Sequence, residues 1–260
     1  MPKSSHRPDD RTHRFELTHG WRLPAHQHRR GHLVYAATGV LSIVSSAGSW
    51  IAPRTRVAWT PAGFSHHHEA HGHTDMRILF LDDATAKRLP KHPAVLAVSP
   101  LVREVLLVLT DDAGSRGAQR SRVAQHRLAE VVVDELRLAP DQPLHLPEPR
   151  DARLRALTAL LHKDPSLNET LARLGKRIGA SERTLTRLFH DEVGMNFRQW
   201  RAQLRLHHAL KLLADGSSVT DTALACGWSN PTSFIETFTS LLGETPGRFR
   251  SQLAAAERAK

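Results

Sequence analysis

The sequence predicts an α+β chain of two domains, a small β-barrel or sandwich with helices followed by an all-α half. Three observations carry this reading. Short strand-type runs fall within residues 15–81, a proline cluster spans 139–150, and everything after 150 is helical in period and contains an internal repeat. A length of 260 residues is enough for two separate cores.

The strand-type runs are 32–36, 40–44, 57–60 and 76–81, rich in Val, Ile, Leu and aromatics. Turn signals at Thr38-Gly39, Ala47-Gly48 and Pro61-Ala-Gly63 separate them. Close spacing of short strands suits a barrel or sandwich. The period then changes to helical over 99–110 and 118–138. In the second run Ala124, Leu128, Val131, Val132 and Leu136 make one apolar stripe. Such a stripe must be covered, either by the sheet of its own domain or by a second copy in a homodimer. Prolines at 140, 143, 147 and 149 stop both helix and central strand, so 139–150 reads as an extended linker. The domains expected are therefore 1–138 and 151–260.

Composition narrows the function. No apolar run approaches the roughly 18 residues of a membrane span, and the first 20 residues lack the apolar core of a secretory signal. Cys226 is the single cysteine, so no internal disulfide forms, and a reduced cytoplasmic setting is expected. A net charge of +10 suits a polyanionic partner, with +6 of it in residues 150–260. Histidine is concentrated oppositely: 14 of 18 precede residue 150, and eight lie between His26 and His73.

The repeat is the strongest signal. Gly175, Gly179, Ser181, Leu185, Phe189 and Gly194 recur as Ala223, Gly227, Ser229, Phe234, Phe238 and Gly243, offset by 48 residues through the turn and 49 beyond it. Each copy has the form of a helix-turn-helix. A small residue allows a close crossing, a glycine takes the left-handed φ that ends the first helix, and a hydroxyl caps the second. In the second copy Asn230-Pro231 fits N-cap and N1.

On the second helix of the first copy, Leu185, Leu188 and Phe189 face inward. Arg183, Thr186, Arg187 and His190 face outward, a cationic, hydrogen-bonding front suited to the major groove of double-stranded DNA. In the second copy Phe234, Thr237, Phe238 and Leu241 are expected inside and Thr232, Glu236, Thr239 and Ser240 outside. Glu236 repels phosphate, which predicts weaker, backbone-directed contacts there. Residues 196–213 between the copies make a helix of roughly 27 Å, spacing two readers about one DNA turn, near 34 Å, apart. Phe197, Trp200, Leu204, Leu213, Cys226 and Trp228 read as core.

These motifs, Gly179-Ala-Ser-Glu-Arg-Thr-Leu-Thr-Arg-Leu-Phe189 and Ala223-Leu-Ala-Cys-Gly-Trp-Ser-Asn-Pro-Thr-Ser-Phe234 with Thr245-Pro246, resemble the DNA-binding domain of AraC/XylS-type transcription regulators over residues 150–250. The resemblance implies base contacts from Arg183, Thr184, Thr186 and Arg187, and from Asn230, Thr232, Ser233 and Glu236. Two positions depart from the pattern: Gly175 stands where alanine is usual, and Glu236 where a basic residue is common. The glycine is expected to cost at most about 1 kcal/mol of helix stability.

The first half resembles the cupin sensor domain of such regulators, through His26-x-His28, His32 and Gly39, then Pro61-Ala-Gly63-Phe-Ser-His66. His32 stands where glutamate or glutamine is usual. In that frame His26, His28, His32 and His66 converge inside a barrel. An imidazole set suits Zn, Ni, Cu or Fe(II) rather than Mg or Ca. The alternative is a cupin whose histidines are hydrogen-bonded or hold an organic effector, with no cofactor required. His67, His68, His71 and His73, with Glu69, are expected in an exposed loop.

Two functions follow. The first is a DNA-binding transcription regulator, without catalytic residues, controlled by a small-molecule or metal effector and paired through 118–138, with RNA polymerase as a further partner. The second is a metal-dependent cupin enzyme, an oxygenase or isomerase, with a helical appendage. No carboxylate base is placed near the four histidines, and the second reading gives the helical half no role.

Overall fold

The structure is a computed structural model and describes residues 12–111, 120–139 and 144–258. Residues 118–119 of the expected helix and 140–143 of the expected linker lie outside these. The chain divides into two compact units, Met1–Ser45 with Trp50–Gln142, and Ser46–Ser49 with Pro143–Lys260. The first is sheet-rich and the second helical, as the two-domain α+β reading expects.

The first unit contains β1 (His13–Leu17), β2 (Arg22–His26), β3 (His32–Ser45), β4 (Gly48–Pro53) from Trp50 on, β5 (Arg56–Thr60), β6 (His66–Phe80), α1 (Asp83–Ala86), β7 (Ala94–Ala97), α2 (Pro100–Thr110) and α3 (Arg122–Leu138). Two long strands organise it. β6 pairs antiparallel with β3 along its length, from His32↔Phe80 to Val44↔His67. β1 lies beside the second half of β6 and β2 beside the first, with His26↔His66 in register. β5 joins β3, and β7 joins β5.

The Thr38-Gly39 turn signal does not end a strand. One strand runs through 32–45 with a register shift there, and Gly39 takes φ +75°. A Cβ at Gly39 would meet Thr74 Oγ1 at 2.2 Å, so the bulge needs glycine for space as well as for backbone. The expected exposed loop at 67–73 is also corrected. It is the first half of β6, where His68 and His71 are buried and Glu69 pairs with Arg22 at 2.7 Å.

Helices α2 and α3 cover the sheet. Leu33, Tyr35, Trp59, Leu79 and Leu96 form one core with Val102, Leu106, Val132, Val133 and Leu136. The α3 stripe is rotated from its expected setting: Val133 is buried and Val131 is 39% exposed.

The second unit contains β8 (His145–Pro147), α4 (Ala152–Lys163), α5 (Leu171–Ile178), α6 (Glu182–Leu188), α7 (Phe197–Ala214), α8 (Val219–Ala225), α9 (Pro231–Leu242) and α10 (Pro246–Arg258). A π-helical turn, Phe189–Val193, extends α6 and ends at Gly194 with φ +70°. Leu154, Leu157, Leu174, Leu185, Phe189, Trp200 and Leu204 form the core of the first helix-turn-helix. Phe238 packs against Phe234 at 5.6 Å and Phe249 at 5.7 Å in the second. Cys226 is buried, and that burial pushes its thiol up to about 12, so it acts as a small apolar group. No helix among the described residues is long and apolar enough to cross a membrane.

Candidate functional site

The punctuation of the repeat sets both reading helices. Gly179 ends α5 at φ +70°, and Ser181 caps α6 by accepting from the Thr184 N–H at 3.1 Å. In the second copy Gly227 has φ +77°, and Asn230, rather than Ser229, caps α9 by accepting from Ser233 N–H at 2.8 Å, with Pro231 at the first helical position.

Gly175 has a reason for departing from alanine. A Cβ there would lie 2.4 Å from the Ala180 carbonyl oxygen and 3.2 Å from Leu185 Cδ1. The missing methyl lets the turn close directly over α5, which fixes where α6 begins.

Leu185, Leu188 and Phe189 are buried, and Arg183, Thr186, Arg187 and His190 are exposed on the opposite side of the same short rod. Thr184 is half-buried with its hydroxyl 2.9 Å from Ser181 Oγ, so it is tied into the cap. On α9, Thr232 and Glu236 are exposed and Ser233 is half-buried. The Asn230 side-chain oxygen is engaged in capping, a role its amide NH2 does not share. Thr237 and Leu241, expected inside, are half-buried instead, and Leu242 takes the core position. With Glu236, Met195, Gln199 and Gln203 they line a cavity of about 630 Å³ between α7 and α9.

The connecting helix α7 has 18 residues, and Asn196 and Gln199 form a reciprocal capping box at its start. Sequence reading missed its Arg205. That guanidinium donates to the Pro165 and Leu167 carbonyls at 3.0 and 3.1 Å and to Asn168 Oδ1 at 2.7 Å. Asn168 in turn donates to the Gly227 carbonyl at 3.1 Å. The α4–α5 loop of the first copy is thus bonded to the turn of the second. An arginine within the mostly apolar face of α7 was the available signal.

In the first unit, strands β2, β3 and β6 bring the expected histidines together. Ring centroids lie 4.5 Å apart for His26 and His66, 4.5 Å for His28 and His32, and 5.1 Å for His32 and His66. His68 joins them, 4.8 Å from His66 and 5.8 Å from His26. It stands two residues beyond His66 on one strand, so both rings point to the same side.

Two backbone contacts fix ring orientation. His26 Nδ1 lies 2.9 Å from the Pro24 carbonyl oxygen, and His66 Nδ1 lies 2.9 Å from that of Phe64. A carbonyl only accepts, so each Nδ1 holds the proton and each Nε2 carries a lone pair into the cluster. Lone pairs of neighbouring rings converging out of water call for an electrophile. A proton is disfavoured: burial, aided by the neighbouring imidazoles, holds His32 and His68 well below the usual histidine range and His66 at about 4. A borderline divalent cation such as Zn, Ni or Cu fits, and this Nδ1–carbonyl support is the usual outer shell of a metal-bound histidine. The nitrogens form two triads, His26–His66–His68 and His28–His32–His66, each set within 4.8 Å. His26 and His28 also line a cavity of about 490 Å³ walled by Phe15, Leu23, Met76, Ile78 and Phe80.

Comparison with known proteins places these features. Residues 174–252 match the family model described as a helix-turn-helix domain. The HTH-type transcriptional regulator NimR of Escherichia coli (strain K12) is 35% identical over 230 residues, covering 88% of this chain and 83% of that protein. The HTH-type transcriptional activator RhaR of Klebsiella pneumoniae subsp. pneumoniae is 31% identical over 157 residues, covering 59% of this chain and 55% of that protein. Among solved structures, ToxT from Vibrio cholerae aligns over 92% of this chain and 97% of its own at 10% identity, with a TM-score of 0.40. These curated relatives are transcription regulators, so the cupin-enzyme alternative is set aside.

Proposed function

Because the chain belongs to the AraC family of DNA-binding transcription regulators, we propose that it is a cytoplasmic, effector-controlled regulator that reads a specific operator. The observation that carries this is the exposed Arg183–Arg187 face of α6, set on a buried back by a capped, glycine-ended turn. Arg183 and Arg187 would pair with guanine edges or phosphates, Thr186 with a thymine methyl, and His190 with the backbone. Thr184 serves by holding the cap of α6, its hydroxyl engaged with Ser181, rather than by touching a base. On α9 the Asn230 amide, Thr232 and Ser233 would hold phosphate oxygens, and Glu236 would accept from a cytosine amine or reject other sequences.

The sensor is the histidine cluster of the cupin-like unit. His26, His28, His32 and His66 would hold one Zn, Ni, Cu or Fe(II) ion, tying β2, β3 and β6 together. A ligand that binds one arrangement of the chain better than another shifts its DNA affinity by that difference. Homodimerisation would use residues 118–138, whose α3 leaves Val123, Val131 and Leu138 exposed, Leu138 to 84%. RNA polymerase is the further partner this reading implies.

Footprinting on DNA upstream of the chain's own coding region, with and without Zn, Ni and Cu, tests the reading. A protected site of two half-sites one turn apart is expected, with occupancy that changes with metal. No protection at moderate salt under any condition would overturn it.

A further inference from the structure

We propose that the histidine cluster takes one ion only and that His68 is among its ligands, an inference that rests on the metal reading above and extends it. The first half follows from His66. Both triads contain it, and its Nδ1 is held by the Phe64 carbonyl. One lone pair, on Nε2, remains, and that atom has no hydrogen-bond partner. A single lone pair makes a single metal bond, so the two triads cannot fill together.

The second half follows from the contrast between His68 and His71 on β6. His71 is buried and satisfied by Ser42 Oγ at 2.8 Å. His68 is 1% exposed, and neither of its ring nitrogens has a hydrogen-bond partner. Buried polar atoms are normally paired, and one left without a partner points to a group that completes it. His68 faces the same side as His66 and falls within the first triad. An ion bound to His66 Nε2 in that triad has His26 and His68 as its other donors, and neither triad contains a carboxylate or thiolate. That donor set selects late first-row divalent ions, Ni, Cu and Zn, over Mg, Ca and Mn.

The test uses the full chain, stripped with a chelator and reloaded with Cu(II) or Ni(II). One Cu(II) per chain is expected by elemental analysis. His68→Gln should weaken Ni(II) about 100-fold and lower by one the number of imidazoles coupled to Cu(II) in pulsed EPR, while His67→Gln and His71→Gln leave both unchanged. His68→Cys, loaded with Co(II), should show a thiolate charge-transfer band, a gained signal that does not depend on interpreting a loss. Two ions per chain, or wild-type affinity in His68→Gln with no band in His68→Cys, overturns the proposal. If His26→Gln and His32→Gln lose the metal and His68→Gln does not, the four-histidine site stands and this extension falls. Should the unmutated chain take up no ion at all, both fall together.

Discussion

Gly175→Ala sets two effects against each other, and the structure decides which wins. Glycine inside a helix costs roughly 1 kcal/mol relative to alanine, so propensity alone predicts a stabilised α5. The added methyl carbon, however, would stand 2.4 Å from the Ala180 carbonyl oxygen. That atom belongs to backbone and cannot rotate away as a side-chain end could. Ala180 N–H also donates to the Gly175 carbonyl at 2.9 Å, which holds the turn against the helix. Relief requires the turn to move by about 1 Å, and overpacking of this kind costs about 1–3 kcal/mol. A net loss of about 1 kcal/mol in the local stability of α5 and α6 is expected. Because Ser181 begins α6 in that turn, Arg183 and Arg187 would shift with it, and DNA affinity should fall about tenfold, the equivalent of about 1.4 kcal/mol. Hydrogen exchange on peptides covering 171–188, compared with those covering 231–242, reads the first quantity, and titration with operator DNA reads the second. A variant with slower exchange in 171–188 and unchanged DNA affinity would refute the steric reasoning.

Arg183→Ala and Arg187→Ala should each cost about 1–3 kcal/mol of operator affinity, with the melting temperature unmoved because both side chains are exposed; gel shifts alongside thermal melts check this. Phe238→Ala removes a fully buried ring flanked by Phe234 and Phe249, and a loss of about 3–5 kcal/mol in the helical unit is expected by chemical denaturation. For pH, burial and the Lys211 ammonium hold His207 well below the usual histidine range and His208 at about 4, with His162 adding to the latter. The folded chain binds these protons later than the unfolded chain does, so stability is flat above about pH 7 and falls as pH drops from about 6.5 toward 4. Melting curves between pH 8 and 5 test the sign, and an unchanged slope in His207→Gln would count against it.

Helical punctuation was legible because it is local. Gly179, Ser181, Asn230 and Pro231 act within one turn of chain and occupy the helix-end positions their chemistry prescribes, whereas Asn196, expected as the first residue of α7, is its N-cap. Strands were legible only where Val, Ile and Leu accumulate. β1, β2, β4, β7 and the first half of β6 owe their form to their neighbours, and a run such as His66-His67-His68-Glu69 has no apolar alternation to show. That is why the sequence expects His68 in a loop, while the resemblance to a cupin sensor domain groups its partners His26, His28, His32 and His66. Once the run is a strand, the i, i+2 relation of His66 and His68 follows directly. The α3 stripe was displaced for a similar reason: Val131 and Val133 have the same character, and only packing against the rest of the core, which takes in Val133, selects between them.

Arg205 has a consequence for the DNA that this chain accepts. By fastening the α4–α5 loop to α7, and through Asn168 to the turn before α9, it ties the two helix-turn-helix copies to one another. Each extra base pair between two half-sites rotates the farther one by about 34° around the duplex axis. A hinged protein would absorb that rotation. If both copies read DNA as proposed, the tie predicts that the duplex bends or untwists instead, and the flexibility of the few base pairs between the contacts becomes part of what is recognised.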